Sequence, residues 1–507
     1  MRVLWSLTLT LALVACAQLP PRLSVPEQMA AAPATTGALA ERVAPAELRH
    51  PGHSGFRLVS TGTEAYALRA YTAQSASRSL DIQTYIWHAD LTGKLLARHA
   101  LLAADRGVTV RILVDDLDAR AKNEGFAALD AHPNIQVRLY NPMASRRGTL
   151  RKAGEFSTGF KRLNHRMHNK TWIADNLLAL VGGRNLGDEY FDAHGGTNFM
   201  DLDLLMAGPV VRAASTNFDR YWNSDSNYPI AQLAPGDITD AGLQRLRTLL
   251  DAKADEHRTG PYLQVLREDP GVADVLDGDT RLHWTADWAF VSDDPNKSQL
   301  PVADRSGVLK ALKPALEDAR HEVGLISPYF VPGETGTAYI QALAARGLDV
   351  RILTNSLAAT DVAAVHGGYM RYRPALLAHG VRLWELKPTG TGTANFSLAG
   401  SSGSSLHTKA VIIDDRQVFV GSYNIDPRST SLNCEQGVLA SHPALASELT
   451  TLFEHQLTGG LAWQVTLVDG KLSWTDGTTT WDNEPESSSR QRMLAWLMKV
   501  LPVESQL

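Results

Sequence analysis

The stretch HNKTWIAD at residues 168–175 decides the fold, because it is an apolar strand with polar groups at both ends. Side chains alternate between the two faces of a β-strand, so His168 and Lys170 project from the same face. A histidine beside a permanent cation is costly to bury without a purpose. The stretch therefore predicts either a polar strand end or one half of a reactive site.

The same spacing recurs in HTKAVIID at residues 407–414. Each copy continues after six residues into a glycine turn that ends in asparagine, GGRN at 182–185 and GSYN at 421–424. Two further pairs of segments keep their order, namely AADRGVTVRILVDD at 103–116 with LAARGLDVRILTNS at 343–356, and VRLYNP at 137–142 with VRLWELKP at 381–388. The separation in sequence between the two copies is too long for the repeat of a solenoid protein. The chain is therefore predicted to hold two homologous domains whose half-sites meet at a pseudo-two-fold axis.

Each copy also predicts a strand, a helix and a second strand in succession. In the first copy, LDIQTYIW precedes a helix that stops at Gly107, as a C-terminal glycine should, and VTVRILVDD follows. This order implies a right-handed crossover and a parallel core, and hence an α/β fold of two mixed sheets packed together. We predict a lipoprotein-type signal peptide at 1–16, an Ala/Pro-rich tether at 17–48, domains at 49–290 and 291–470, and a tail at 471–507.

The duplicated HxKxxxxD motif followed by GGxN or GSxN resembles that of the phospholipase D superfamily. Finer features are similar to the cardiolipin synthase C subgroup of bacterial proteins: YIWHADLTG at 85–93, GGRNLGDEYF at 182–191, SPYFVPG at 327–333, DPRSTSLNCE at 426–435 and LPVESQL at 501–507. The resemblance implies two homologous phospholipase D-like α/β/α domains with the active site at their pseudo-two-fold interface. It also implies phosphodiester exchange without a metal or cofactor.

Phosphodiester exchange needs a nucleophile, an acid for the leaving oxygen and positive groups around the phosphate. In the family the N-terminal histidine is usually the nucleophile, so we expect His168 to form a phosphohistidine and His407 to act as acid and base. Lys170 and Lys409 would neutralise the non-bridging oxygens. Hydrogen bonds to the same oxygens are expected from Asn185, Asn424 and Ser422.

A nucleophilic histidine needs an acceptor on its other ring nitrogen. Aligning EQGVLASHP at 435–443 with DLDLLMAGP at 201–209 matches Glu435 with Asp201. We therefore expect Asp201 to orient His168 and Glu435 to orient His407, with Asp203 as the alternative to Asp201. A metal site at the DxD of 201–203 is disfavoured, because two carboxylates alone rarely make one.

Asp175 and Asp414 complete the catalytic motif in each copy. Each lies an odd number of residues after its histidine, so on an unbroken strand it faces away from it. We interpret both as structural residues that brace the strand end.

The N-terminus is predicted to be a targeting segment. Arg2 precedes a short apolar run at 3–15 that is typical of a signal segment and too short to span a bilayer. The run ends in LVAC, which resembles a bacterial lipoprotein processing site, so Cys16 would carry the acyl chains. The residue after the cysteine is Ala17 and not aspartate, which resembles the pattern of lipoproteins that are sent to the outer membrane. We expect a lipid anchor on the periplasmic side of the cell envelope, with the outer membrane favoured over the inner; an ordinary secretory signal is the alternative.

The distribution of charged and apolar residues indicates whether the protein binds nucleic acid or membrane lipids. The net charge of −5 gives no global basic field, which argues against a nuclease. A local basic patch is either a rim for anionic head groups or a solvated loop; it comprises Arg146, Arg147, Arg151, Lys152, Lys161, Arg162 and Arg166. The tail segment SRQRMLAWLMKVLP at 489–502 either docks on a membrane interface or packs on its own domain.

Cys434 is interpreted as a small buried residue.

The resemblance favours a phosphatidyltransferase that makes cardiolipin from phosphatidylglycerol with phosphatidylglycerol or phosphatidylethanolamine. The expected partners are phospholipids and the membrane, and no nucleic acid is expected. A phospholipase D that transfers to water is the first alternative, since the same site serves both acceptors. A secreted phosphodiesterase or nuclease is the second.

Overall fold

The computed structural model describes residues 19–119, 122–144, 162–196, 198–277, 281–388 and 404–501. The predicted signal peptide with Cys16 lies outside these described residues. Five members of the basic patch lie outside them as well: Arg146, Arg147, Arg151, Lys152 and Lys161. No helix among the described residues is long and apolar enough to cross a membrane.

The first half of the chain builds a nine-stranded mixed sheet in the order β10-β1-β8-β6-β5-β2-β3-β4-β9. Its central strands β2, β3 and β4 are parallel, and the others join antiparallel. The strands up to β10, of which β7 lies apart, are β1 Ser54–Val59, β2 Ser79–Thr84, β3 Thr109–Asp115, β4 Ile135–Tyr140, β5 Thr171–Ala174, β6 Leu178–Gly182, β7 Asn198–Met200, β8 Asp203–Ala207, β9 Asn227–Pro229 and β10 His283–Thr285.

Three helices of this half begin at a side-chain cap, from Thr61, Asp90 and Thr239. The Asp90 side chain accepts the Gly93 N–H and starts the crossover helix, which stops before Gly107, a residue with φ of 95°. The predicted stop at Gly107 is therefore confirmed. The helices are α1 Ala38–Arg49, α2 Gly62–Ser75, α3 Leu91–Asp105, α4 Asp116–Ala119, α5 Asn123–Asp130, α6 Pro209–Trp222, α7 Ile230–Leu233, α8 Asp240–Glu256, α9 Pro261–Glu268 and α10 Pro270–Asp277.

The second half builds a ten-stranded sheet in the order β11-β18-β17-β16-β12-β13-β14-β19-β20-β21. Its strands are β11 Trp288–Ser292, β12 Glu322–Ile326, β13 Asp349–Asn355, β14 Arg382–Leu386, β16 Ala410–Ile413, β17 Gln417–Gly421, β18 Gln436–Ser441, β19 Ala462–Val468, β20 Lys471–Thr475 and β21 Thr480–Trp481, while β15 Ser404–Leu406 pairs in parallel with β7. Its helices are α11 Gly307–Asp318, α12 Gly333–Ala345, α13 Ala363–Tyr369, α14 Arg373–Ala378, α15 Pro427–Ser431, α16 Pro443–Thr458 and α17 Ser489–Val500. Short 3₁₀ turns lie at Asp188–Tyr190, Pro235–Asp237, Lys297–Gln299 and Val302–Asp304.

The two sheets repeat one topology, which confirms the predicted pair of homologous α/β domains. In each, three parallel strands are flanked by the antiparallel motif strand, β5 beside β2 and β16 beside β12. The chain changes sheet between Thr285 and Trp288, and the second sheet continues past residue 470 through β20 and β21.

Among the described residues, one apolar cluster contains side chains of both domains. It contains buried residues of both sheets, including Phe56, Ile173, Val181 and Leu204 from the first half and Ile412, Val420, Val438 and Phe453 from the second. Burial of one such side chain is worth roughly 1.5–3 kcal/mol, so separating the sheets would be strongly unfavourable. The shared core therefore fixes how the two half-sites face each other.

Asp175 and Asp414 brace the ends of the motif strands, as their odd spacing predicts. Both have left-handed backbone, with φ of 54° and 53°. The Asp175 carboxylate accepts the N–H groups of residues 77–79 at 2.7–3.1 Å. Asp414 does the same for the N–H groups of residues 320–322 at 2.7–3.0 Å. Each aspartate thus ties the end of the motif strand to the start of its antiparallel neighbour, β2 or β12.

We expect Asp414→Ala to lower the free energy of unfolding by about 1.5 kcal/mol, because three backbone N–H groups lose their acceptor. Burial raises the pKa of Asp414, but the N–H groups of Glu322, His321 and Arg320 outweigh it and the net shift is downward. This contribution is therefore present above the unfolded-state pKa of about 3.9 and is lost as the pH falls through the lower folded-state value.

Urea unfolding of Asp414→Ala should be compared with Asp415→Ala. Asp415 also has left-handed backbone, with φ of 46°, and its carboxylate is exposed. Equal losses in the two variants would mean that the backbone conformation, and not the bracing carboxylate, carries the effect.

Candidate active site

The two motif histidines lie at the carboxyl ends of the parallel strands, where α/β folds usually place ligand sites. Thr171, next to Lys170, pairs with Gln83 near the end of β2. In the second domain Ala410, next to Lys409, pairs with Ile326 at the end of β12. The strand geometry thus brings both motifs to one edge of the shared core.

Each histidine is held by backbone from the opposite domain. The His168 N–H donates to the Cys434 carbonyl at 2.9 Å, and Met167 bridges to Cys434 in parallel. The His407 N–H donates to the Met200 carbonyl at 2.8 Å, beside the β7–β15 pair. The segment before each histidine therefore pairs across the domain interface.

This pairing decides which carboxylate meets which imidazole. His168 Nδ1 lies 2.9 Å from Glu435 Oε2, and His407 Nδ1 lies 2.5 Å from Asp201 Oδ2. The prediction that Asp201 orients His168 and Glu435 orients His407 was wrong, because each carboxylate follows the residue that bridges to the other domain's histidine. Asp203 does not take this role, since its carboxylate contacts Arg69 at 2.9 Å and Arg184 at 3.5 Å.

The carboxylates fix the tautomer of both imidazoles. A hydrogen bond from Nδ1–H to a carboxylate leaves Nε2 with its lone pair for chemistry. Burial lowers the pKa of His168, and it lowers that of His407 to about 4, so both rings are neutral near pH 7. Burial raises the pKa of Glu435 and Asp201, but His168 and His407 respectively outweigh it and the net shift is downward.

The lysines complete the electrostatics of the site. Lys170 Nζ donates to the His168 carbonyl at 2.6 Å, and Lys409 Nζ contacts the His407 carbonyl in the same way. Burial lowers the pKa of Lys170 well below its usual value and that of Lys409 to about 8. The charge of Lys409 also lowers the pKa of Lys170 and of His168, so the two half-sites act on one another.

The predicted phosphate-binding amides occupy different environments. Asn185 Nδ2 donates to the Tyr190 hydroxyl at 2.9 Å, and its Oδ1 accepts the Ile86 N–H at 3.2 Å. Within the described part of the chain, Asn424 Oδ1 is buried without a hydrogen-bond partner. Both amides lie on turns that directly follow the strands paired with the motif strands, β6 and β17.

The Ser422 hydroxyl is hydrogen-bonded within its own domain. Its hydroxyl donates to Glu435 Oε2 at 2.5 Å and accepts the Gln436 N–H at 3.1 Å. The prediction that it hydrogen-bonds the substrate is therefore corrected: it supports the carboxylate that holds His168. Gly183 is its counterpart, and a Cβ there would overlap Asp201 Oδ1.

Sequence reasoning missed three aromatic residues around the histidines. The Tyr85 ring packs edge-on to His168 with ring centroids 5.1 Å apart, and Lys170 Nζ lies 5.4 Å from its centre. Tyr190 and Phe199 pack against His407 with centroids at 5.3 and 5.0 Å. The one available signal was position, since Tyr85 directly follows β2 and Tyr190 lies in the segment after the GGRN turn.

Two further residues take structural roles. Cys434 is fully buried, and burial raises the pKa of its thiol to about 12, which fits its interpretation as a small buried residue. Arg166 is also buried and pairs with Asp115 at 3.1 Å. Arg166 therefore does not belong to a surface rim of the basic patch.

A double-mutant cycle on stability tests the crossed pairing. We expect His168→Ala and Glu435→Gln to show a coupling of about 1–2 kcal/mol in the free energy of unfolding, because they remove one contact. His168→Ala with Asp201→Asn is the matched control, with an expected coupling below about 0.5 kcal/mol. Stronger coupling in the control would contradict the crossed arrangement. Denaturant unfolding measures both without requiring activity.

Similarity to known proteins identifies the family. The sequence matches the family model described as cardiolipin synthase, phospholipase D-like domain, over residues 71–222 and 312–457. Cardiolipin synthase C of Escherichia coli (strain K12) is 38% identical over 474 residues, covering 92% of this chain and 99% of that protein. An uncharacterized protein of Helicobacter pylori (strain ATCC 700392 / 26695) is 32% identical over 468 residues, covering 89% of each.

A solved structure shares the fold. Phosphatidylserine synthase of Haemophilus influenzae Rd KW20 superposes with a TM-score of 0.58 and 13% identity, covering 92% of this chain and 100% of that chain. The matched family ranges contain both histidine–lysine motifs and span more than half of the sequence. The chain therefore belongs to the phospholipase D-like cardiolipin synthase domain family.

Proposed function

We propose that this cardiolipin synthase-like enzyme of the phospholipase D superfamily forms cardiolipin by transphosphatidylation. The donor is phosphatidylglycerol or phosphatidylethanolamine, and the acceptor is phosphatidylglycerol. The observation that carries the proposal is the meeting of two neutral imidazoles, each fixed by a carboxylate of the other domain, with two buried lysines. This set supplies a nucleophile, a proton carrier and charge neutralisation in one place.

In the first step His168 Nε2 attacks the donor phosphorus. A P–N bond forms, the P–O bond to the head-group alcohol breaks, and the alkoxide takes a proton from His407 Nε2. Glu435 accepts the Nδ1–H of His168 and stabilises the positive charge that develops on the ring. His407 is neutral in the free site, and the anionic phosphodiester favours its protonation, so proton uptake accompanies substrate binding.

In the second step the acceptor hydroxyl of phosphatidylglycerol gives its proton to His407 and attacks phosphorus. The P–N bond breaks, His168 returns to its neutral form, and cardiolipin leaves. Glycerol is released in the first step when the donor is phosphatidylglycerol, and ethanolamine when it is phosphatidylethanolamine. Asp201 holds His407 in the tautomer that both proton transfers require.

The phosphate oxygens are held by Lys170 and Lys409, with the amides of Asn185 and Asn424. Burial disfavours the charge of both lysines in the free site. A bound phosphate anion favours the charged form of both lysines and offsets its desolvation. The site is therefore built for an anionic ligand.

Location is part of the proposal. Cys16 carries a lipid anchor that holds the enzyme on the periplasmic side of the cell envelope, with the outer membrane favoured, and the support is the LVAC sequence before Ala17. The partners are phospholipids. Water as acceptor would make the same site a phospholipase D, and a phosphodiester of nucleic acid would make it a nuclease.

The direct test follows labelled phosphatidylglycerol, with and without phosphatidylethanolamine, in vesicles that carry the full-length protein. Label should enter cardiolipin, and His168→Ala or His407→Ala should reduce the rate by at least about 10³-fold, because each removes a covalent or proton-transfer step. His455→Ala is the matched control, since His455 is exposed on α16 outside the site. Phosphatidic acid as sole product would establish hydrolysis instead. No lipid product under any condition would contradict a lipid substrate.

The alkaline limb of the pH profile tests the role of Lys409. Burial lowers its pKa to about 8, so above that pH the free enzyme loses a phosphate-binding charge. We expect kcat/KM to fall above about pH 8 and the limb to move upward in Lys409→Arg, because arginine stays protonated. A limb that remains in place in the variant would assign the titration to another group.

A further inference from the structure

The helix Ser489–Val500, here called the tail helix (α17), turns most of its large apolar side chains outward, whereas Met498 packs on the domain beside Val331 and Val365. Met493 is 66% exposed, Trp496 59% and Val500 55%. Leu494, Leu497 and Leu501 are exposed as well, so six of the fifteen exposed large apolar residues in the described ranges lie within residues 493–501. Residues 493, 496, 497 and 500 have the spacing of one helix face. This is an apolar stripe that faces away from the protein.

The tail helix docks on its own domain through a different, smaller face. Ala495 is its buried residue, and a Cβ on Gly367 of α13 would lie 2.5 Å from the Ala495 carbonyl. Arg371 donates to the carbonyls of Lys499 at 2.5 Å and Leu501 at 2.7 Å. The helix is therefore fixed at close range without using its apolar stripe. An amphipathic helix normally buries that stripe against a core.

The charges around the stripe favour an anionic surface. Residues 487–501 contain no aspartate or glutamate, and they carry Arg490, Arg492 and Lys499 in a chain of net charge −5. Tryptophan flanked by leucine and cationic side chains is typical of helices that lie in the head-group region of a bilayer. A partner protein would need an acidic, apolar groove of matching shape, whereas a bilayer containing phosphatidylglycerol supplies both properties over its whole area.

The tail helix also lies next to a loop that borders the candidate active site. Gln491 Nε2 donates to the Leu357 carbonyl at 3.2 Å. Asn355 lies two residues before Leu357. Its side chain accepts the Leu406 N–H and donates to the Leu406 carbonyl, both at 2.9 Å, and Leu406 directly precedes His407. On the same loop, Asp361 is close enough for its charge to raise the pKa of Lys409. These contacts connect the tail helix to the second half-site.

We propose that the tail helix lies in the head-group region of an anionic lipid bilayer and thereby holds the second half-site close to the membrane. The part that concerns substrate access rests on the proposed function, whereas the bilayer contact stands by itself. Trp496, Leu497 and Val500 enter the bilayer. Arg490 and Lys499 meet its phosphates.

The test uses the full-length protein in vesicles of phosphatidylcholine and phosphatidylglycerol whose acyl chains carry bromine, a short-range quencher of tryptophan fluorescence. The chain has 11 tryptophans, so the contribution of Trp496 is the difference between wild type and Trp496→Phe. We expect quenching that is lost in Trp496→Phe and reduced in Leu497→Ser/Val500→Ser. The matched control is Val302→Ser/Leu309→Ser, which removes two exposed apolar residues far along the chain from the tail helix.

Transfer activity gives the second readout. Leu497→Ser/Val500→Ser should reduce activity on vesicles by about tenfold, because each apolar side chain withdrawn from the bilayer weakens the contact. Activity on lipid dispersed in detergent should match wild type, which also shows that the variant folds. Equal quenching in wild type and Trp496→Phe would overturn the proposal, as would tail-helix cross-links between two copies in place of lipid contact. Quenching of Trp496 in a protein that makes no cardiolipin would uphold the bilayer contact and reject the proposed function instead.

Discussion

The structure depends on two hydrogen bonds that cross the interface between its domains. Neither half holds a complete reactive histidine, because His168 takes its carboxylate from Glu435 and His407 takes its carboxylate from Asp201. A single copy of the repeat would leave a buried imidazole without an acceptor and a buried carboxylate without a donor, each of which is costly. The shared apolar core offsets this requirement by fixing the two sheets against each other. A complete site therefore requires both domains to be folded and in contact.

Much of the fold could be predicted from the repeat itself. The strand–helix–strand order and the stop at Gly107 depend on local sequence and are found as expected. The identity of the orienting carboxylates could also be predicted, because Asp201 and Glu435 occupy equivalent positions in the two copies. Which carboxylate orients which histidine could not be predicted, because exchanging two equivalent positions between the copies leaves every spacing in the sequence unchanged. It is decided by the bridges of Met167 to Cys434 and of His407 to Met200, which join residues more than 200 positions apart.

The aromatic surroundings escaped prediction for a related reason. Tyr85 and Phe199 belong to segments that look like ordinary strand ends, and only the folded arrangement brings them to His168 and His407. The role of Ser422 was misjudged because its hydroxyl was considered beside the asparagine of its own turn. In the structure the hydroxyl donates its hydrogen bond to the Glu435 carboxylate.

The two half-sites are related by sequence but differ in the length of the carboxylate that orients the histidine. In each half-site the neighbouring residue of the glycine turn suits that length. On one side the longer Glu435 is held by the Ser422 hydroxyl; on the other the shorter Asp201 fits against Gly183, where no side chain could be placed. A phosphodiester meets the same imidazoles and lysines whatever alcohols it joins, so this centre alone does not select a lipid over another phosphodiester. Selection must come from surfaces that the substrate's other parts touch. The tail-helix stripe that we propose to lie in the bilayer would favour lipid phosphodiesters in this way. The helix is tied through Leu357 and Asn355 to the backbone that precedes His407.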